Sequence, residues 1–159
     1  MMTGEIKKYI KAEAIIAAAF NLFINGMVAS LINHKADAVA TDFVSIAIDL
    51  TLTCMSICIL TALFSHASVT RTKTAGILET GSRLMRFLSK LFRNPALFGG
   101  LIGFITTAVL FAAITPVFAL MNLYALPFGV YVALKCAFAA LLGGGAVALE
   151  LYAGMCKTE

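Results

Sequence analysis

Charged and amide side chains inside long apolar stretches are the positions of this sequence that most invite a chemical reading. Asp49 and Lys135 each fall some seven or eight positions into an apolar run, and Asn25 has a comparable place in a third. If the runs are helices, a rise of ~1.5 Å per residue sets all three ~10–12 Å below the same membrane surface. Thr115, beside Pro116, offers a fourth polar group from the remaining run. A lone Asp or Lys near the centre of a membrane helix costs roughly 2.5–3.5 kcal/mol to insert, and an acid and a base at one level offset each other. Asp49 and Lys135 are therefore expected to turn inward and pair, with Asn25 and Thr115 completing an intramembrane polar cluster.

Helical spacing extends the cluster. Asp42, Ser45, Asp49, Thr53 and Ser56 follow steps of three and four, as do Ala14, Ala18, Asn21, Asn25 and Ala29, so each set forms one stripe along a helix. Glu13 and Glu150 lie near the ends of the first and fourth runs at the other membrane surface, away from the cluster. With Asn21, Ser45 and Thr53 they sketch a polar route from one surface to the other, although acids so close to an interface also reach water by extending along the helix. Two meanings stay open for the Asp49 and Lys135 pair. It is either part of a substrate or proton pathway, or an ion pair that fixes helix register.

Other chemistry is weakly represented. Cys54 and Cys58 share a helical face and Cys136 adjoins Lys135, a set that would suit a soft metal, but free cysteines serve mostly as small core residues. His34 with Asp37 and Asp42 reads as a solvated loop, and His66 has no such neighbours. HExxH, GxSxG, P-loop and dinucleotide signatures are missing, and the Gly143 to Gly145 run is apolar on both sides. No enzyme activity, cofactor, metal or nucleic-acid partner is expected.

The elements that must carry these residues are set by composition. Of 159 residues 61% are hydrophobic and 13% charged, against roughly half and a quarter in soluble domains, and the mean hydropathy is +0.97. A soluble fold of this size has too little interior for so much apolar surface, so a bilayer is expected to cover it. Four runs, 12–32, 43–64, 96–119 and 128–153, are each long enough to span. Backbone groups in lipid must bond within their own segment, and the fold class follows: all-α, a polytopic protein of four transmembrane helices arranged as two helical hairpins. With Glu13, Asn21 and Asn25 inside it, the first run is expected to be a retained span and not a cleaved signal.

Charge gives orientation. Lys7, Lys8, Lys11, Arg71, Lys73, Arg83, Arg86, Lys90, Arg93 and Lys157 share one side if the spans alternate, against Lys35 alone on the other. Positive residues stay inside, so both termini and the 65–95 loop are expected to be cytoplasmic, with 33–42 and 122–127 facing outward, in a bacterial inner membrane. The loop is expected to be irregular over 65–76 and an amphipathic helix over 77–93. Leu84, Leu88 and Leu91 lie on one face of that helix, and Arg83, Arg86, Lys90 and Arg93 are set toward anionic lipid headgroups.

Small residues four apart, Gly99 with Gly103 and Ala140 with Gly144, allow close helix approach, and a homodimer through Gly99 and Gly103 is one expected consequence. The segment VSIAID, 44–49, resembles VYVALK, 130–135, and hints at an internal repeat. The functional expectation is a small permease, channel-like protein or transporter subunit built on the Asp-Lys-Asn cluster. The alternative is a non-transporting accessory protein that binds another membrane protein or anionic lipid. A water-filled cavity at the cluster would favour the first, and a dry pair with an exposed small-residue face the second.

Overall fold

The computed structural model describes residues 4–34, 36–79 and 82–157. The order is α1 (Gly4–Ile32), β1 (Ala38–Ala40), α2 (Phe43–Thr72), α3 (Arg83–Leu91), α4 (Pro95–Leu120), β2 (Ala125–Pro127) and α5 (Phe128–Met155). The fold is all-helical apart from two three-residue strands. α1, α2, α4 and α5 are long and apolar enough to cross a membrane. At 26 to 30 residues each exceeds the ~20 residues that a hydrocarbon core requires, so the ends project beyond the apolar stretches read from the sequence.

Local chemistry sets the boundaries. Asp42 caps α2, its Oδ1 accepting from the backbone N–H groups of Val44 at 3.0 Å and Ser45 at 3.2 Å. Asn94 caps α4 through Leu97 N–H at 3.2 Å, and Pro95, which has no N–H to leave unbonded, opens the first turn. α2 does not stop near residue 64 as expected but continues to Thr72. Ser65 and Val69 are buried on its inner face, and the hydroxyls of Thr70 and Thr72 bond back to His66 O and Ser68 O at 2.8 Å. The helix ends only where Lys73 turns left-handed at φ 54° and Thr74 N–H reaches back to Val69 O at 3.1 Å.

The expected hairpins are not how the helices pack. α1 lies along α5, α5 along α2, and α2 along α4, whereas α1 does not pack on α2, nor α4 on α5. Sequence neighbours are joined instead through their connections, because β1 pairs antiparallel with β2 with Val39 opposite Leu126. Exchanging α1 with α4, α2 with α5, and β1 with β2 leaves this pattern unchanged. The two halves are thus arranged alike around the contact of α2 with α5.

Small residues decide which faces meet. A Cβ on Gly99 would collide with the backbone of Cys58 and Ile59, and one on Gly103 would lie 3.1 Å from Cys54 O and from Met55 Cα. That close approach supplies the van der Waals contact that holds helices together where lipid removes the hydrophobic drive. The Gly99 and Gly103 face is therefore occupied by α2 within the chain, and the expected seam between two copies is not available there. Gly144 does the same against α1, where its Cβ would stand 3.0 Å from Ala14 O and 3.2 Å from Ala18 Cβ. Ala140 is half-buried one turn before it.

The connecting segment also departs from expectation. α3 begins at Arg83, capped by Ser82, so it is shorter than 77–93, and positions 80 and 81 lie outside the described residues. Leu78 bridges to the end of α5, its N–H donating to Met155 O and its carbonyl accepting from Lys157 N–H, both at 2.8 Å. Leu88 and Ser89 are buried and Ser89 Oγ donates to Cys156 O at 2.8 Å, while Leu84 is exposed. α3 is thus docked on the bundle by Leu88, Ser89 and the following Phe92, with Leu91 packed against the same core, and of the expected Leu84, Leu88 and Leu91 face only Leu84 is left out. Arg83, Arg86, Lys90 and Arg93 are exposed. Lys35 lies outside the described residues.

The core gathers at the α3 end, where Phe98, Leu151 and Met155 are fully enclosed and Phe92 meets Phe98 edge to face at 5.3 Å. Elsewhere the helices turn large apolar side chains outward, among them Phe23, Ile48, Phe104 and Leu141. So broad an apolar surface suits lipid and not water.

Candidate functional site

Because α1 packs on α5 but not on α2, a cleft of about 490 Å³ opens between α1 and α2, with α5 as its floor. α1 contributes Glu13, Asn21 and Asn25 to its wall. From α2 come Asp49, Thr53 and Ser56, and then Thr61, Ser65 and Ser68 one to three turns further along. These polar groups run the length of a wall that is otherwise aliphatic and aromatic. At the α3 end a bond from Tyr9 Oη to Ser68 Oγ at 2.7 Å ties α1 to α2.

The charged pair sits toward the β end. Lys135 Nζ donates to Asp49 Oδ1 in an ion pair. Tyr131, one turn before Lys135 on α5, donates its hydroxyl to the same oxygen at 3.1 Å and stands 3.2 Å from Lys135 Nζ. Both bonds fall on Oδ1, so Oδ2 keeps its acceptor capacity. The lysine side chain is 12% exposed and the aspartate 37%, which makes Asp49 the member that a molecule in the cleft can touch. Asp49 and Lys135 are 86 positions apart, at matching places in the VSIAID and VYVALK segments.

The structure brings some of the sequence-singled residues together and separates others. Asn25 lines the same cleft as the pair, but its amide donates to Asn21 O at 3.0 Å and Asn21 donates to Ala17 O at 2.9 Å, so both keep their carbonyl oxygens for other partners. Thr115 is not part of this group. It belongs to α4, which packs on α2 and takes no part in the cleft, and its Oγ is buried with no hydrogen-bond partner among the described residues. Ser45 does not line the cleft either, because its hydroxyl donates to Asp42 Oδ2 at 2.6 Å as part of the α2 cap.

The two acids separate in a similar way. Glu13 is half-buried and lines the cleft, whereas Glu150 is fully enclosed and does not reach water. Its carboxyl oxygens accept from Thr61 Oγ at 2.9 Å and from Ser65 Oγ at 2.9 Å. Those two hydroxyls belong to the wall of the cleft and Glu150 lies behind them. Among the described residues no cation pairs with it.

Several of these residues escaped the sequence reading. Tyr131 was detectable, since a polar aromatic one helical turn from an intramembrane Lys is placed to share its partner. Thr61 continues the stripe of Asp49, Thr53 and Ser56 within the expected run, and Ser65 and Ser68 extend it only if α2 runs past residue 64. The thiols are not gathered: Cys54 lies beside Thr107 of α4, and Cys136 lies against Gly26 of α1. Among the described residues no group of three His, Cys, Asp or Glu is placed to hold a metal ion. No family model, curated protein or solved structure matches the chain.

Proposed function

We propose that the chain is a small multi-pass permease of a bacterial inner membrane, or the solute-handling subunit of one, and that the cleft between α1 and α2 is its solute path. The termini and the 65–95 loop face the cytoplasm, because the Lys and Arg residues outside the four apolar runs concentrate there. The β ribbon then faces outward and the Asp49 and Lys135 pair lies toward the outer surface.

The observation that carries this reading is that Asp49, Lys135 and Asn25 border one cleft, which continues past Asn21 and Thr53 to Glu13. A pair serving only helix register would be served as well by dry packing, and the open Oδ2 of Asp49 would have no use. A small cation or zwitterion fits the chemistry. Its ammonium meets Asp49 Oδ2, and a carboxylate, where present, competes with Asp49 for Lys135. Solute thereby replaces an internal ion pair, and the path closes again behind it when the pair reforms.

The test is uptake of labelled amino acids and of monovalent cations into proteoliposomes. Native protein exceeds empty vesicles, and Asp49→Asn lowers the rate at least tenfold. Uptake unaffected by that change would reduce the cluster to scaffolding. The exposed row of Arg83, Arg86, Lys90 and Arg93 favours a second reading, an accessory protein held at anionic lipid. On that reading neither form transports, and vesicle binding depends on the anionic lipid fraction.

A further inference from the structure

We propose that Glu150 is a proton-binding site set into the wall of the cleft, loaded and unloaded through the hydroxyls of Thr61 and Ser65; its use to couple proton movement to solute rests on the permease reading above. Glu150 is 0% exposed, and among the described residues hydroxyls are the only groups bonded to its carboxyl. A carboxylate enclosed among apolar side chains without a cation is costly, and a bound proton removes that cost.

The surroundings accommodate either form. With the carboxylate charged, Thr61 and Ser65 both donate to it at 2.9 Å. With a proton on one carboxyl oxygen, that O–H donates back to a hydroxyl oxygen. The Thr61 hydrogen then has another acceptor within reach, since its Oγ is 2.8 Å from Ile57 O and 3.3 Å from Cys58 O. Rotation of one hydroxyl thus exchanges the two arrangements and leaves no buried group unbonded. The step is a simple protonation: one O–H bond forms on a carboxylate oxygen and the negative charge is lost, with no change of oxidation state. Thr61 and Ser65 also border the cleft, so water there is the donor and acceptor of that proton.

Other ionisable groups around the site are accounted for. On α2 they are the buried thiols of Cys54 and Cys58, and His66, whose ring meets Phe92 at 5.6 Å. α1 brings Glu13 to the cleft and Tyr9, which is bonded to Ser68. α4 carries no ionisable side chain. Arg83, Arg86, Lys90 and Arg93, in and after α3, are exposed. On α5 itself Tyr152 is half-buried and Lys135 is engaged with Asp49.

Infrared difference spectroscopy of the full chain in lipid vesicles, without solute, tests the site. The native protein is expected to show a protonated-carboxyl C=O band that disappears as pH rises and is absent from Glu150→Gln. Thr61→Val removes a donor that favours the charged form and moves the disappearance about one pH unit or more upward. A native band that Glu150→Gln leaves in place would overturn the proposal. If Glu150→Gln does not fold, an unmoved band in Thr61→Val overturns it instead. Because the band is read without transport, absence of uptake would sink the permease reading and leave this result standing.

Discussion

Asp49 of α2 and Lys135 of α5 occupy corresponding places in the two halves of the chain and meet as an ion pair, with Tyr131 bonded to both. The α2 contact with α5 is the one that exchanging the halves maps onto itself, so the pair marks the centre of the arrangement. Equivalent positions in a duplicated pattern lie at equal depth whatever the tilt of the helices. That is why an acid in one half and a base in the other come within reach.

Breaking this pair should cost more than removing it. Loss of one partner of a buried pair typically destabilises by ~3–5 kcal/mol. Asp49 is 37% exposed, and solvent screening reduces the expectation to about 1–3 kcal/mol for Lys135→Met. The double change Asp49→Leu with Lys135→Met should recover most of that loss. Thermal denaturation in detergent measures both. A double variant no more stable than the single one would show that the charges do not act as a pair.

Three glycines of α4 separate intramolecular packing from any outer face. A Cβ at Gly99 meets the backbone of α2, and one at Gly100 meets nothing within 4 Å. Gly99→Ala is therefore expected to destabilise by about 1–3 kcal/mol. Gly103→Ala, with contacts at 3.1 Å, should cost less, and Gly100→Ala should be nearly neutral or slightly stabilising in a helix. Equal effects at Gly99 and Gly100 would contradict the α2 and α4 contact.

The start of α2 should respond to acid. The Ser45 hydroxyl, and then the Ser45 and Val44 backbone N–H groups, hold the Asp42 carboxyl below its ordinary value of 3.8. A depressed folded value means that the stabilisation is complete above the ordinary carboxyl range and is lost as pH falls through the lower folded value. The Tm difference between native protein and Asp42→Ala should thus be constant at neutral and mildly acid pH and shrink toward zero below 3.8. A difference that persists at lower pH would assign the effect to something other than the charged cap.

The four long helices were legible because apolar length is all that a bilayer asks of a span. Asp49 and Lys135 were legible because their depth follows from alternating direction alone. The partners of each helix were not. In an apolar helix nearly every face is acceptable to lipid, so the contacts are chosen by where Gly99, Gly103 and Gly144 permit backbone approach and by the β1 and β2 ribbon that ties the two connections. The cleft follows from that pairing and could not be read without it. The extension of α2 was hidden because Ser65, Ser68, Thr70 and Thr72 compete for backbone bonds in short peptides, whereas here their hydroxyls bond within the helix, to Glu150 behind it or to Tyr9 across the cleft. Glu150 was expected to reach water since it lies near a helix end, yet the longer α2 rises beside it and encloses it.

Thiol accessibility along α1 and α2 tests the cleft most directly. In a variant lacking the native cysteines, single cysteines at Asn21, Asn25 and Thr53 should react with a small water-soluble, membrane-impermeant thiol reagent in proteoliposomes. Cysteines at the outward-facing Phe23 and Ile48 positions, which do not line the cleft, should react at least tenfold more slowly if at all. Uniform silence at Asn21, Asn25 and Thr53, or reaction no faster there than at Phe23, would contradict a water-filled path between the two helices.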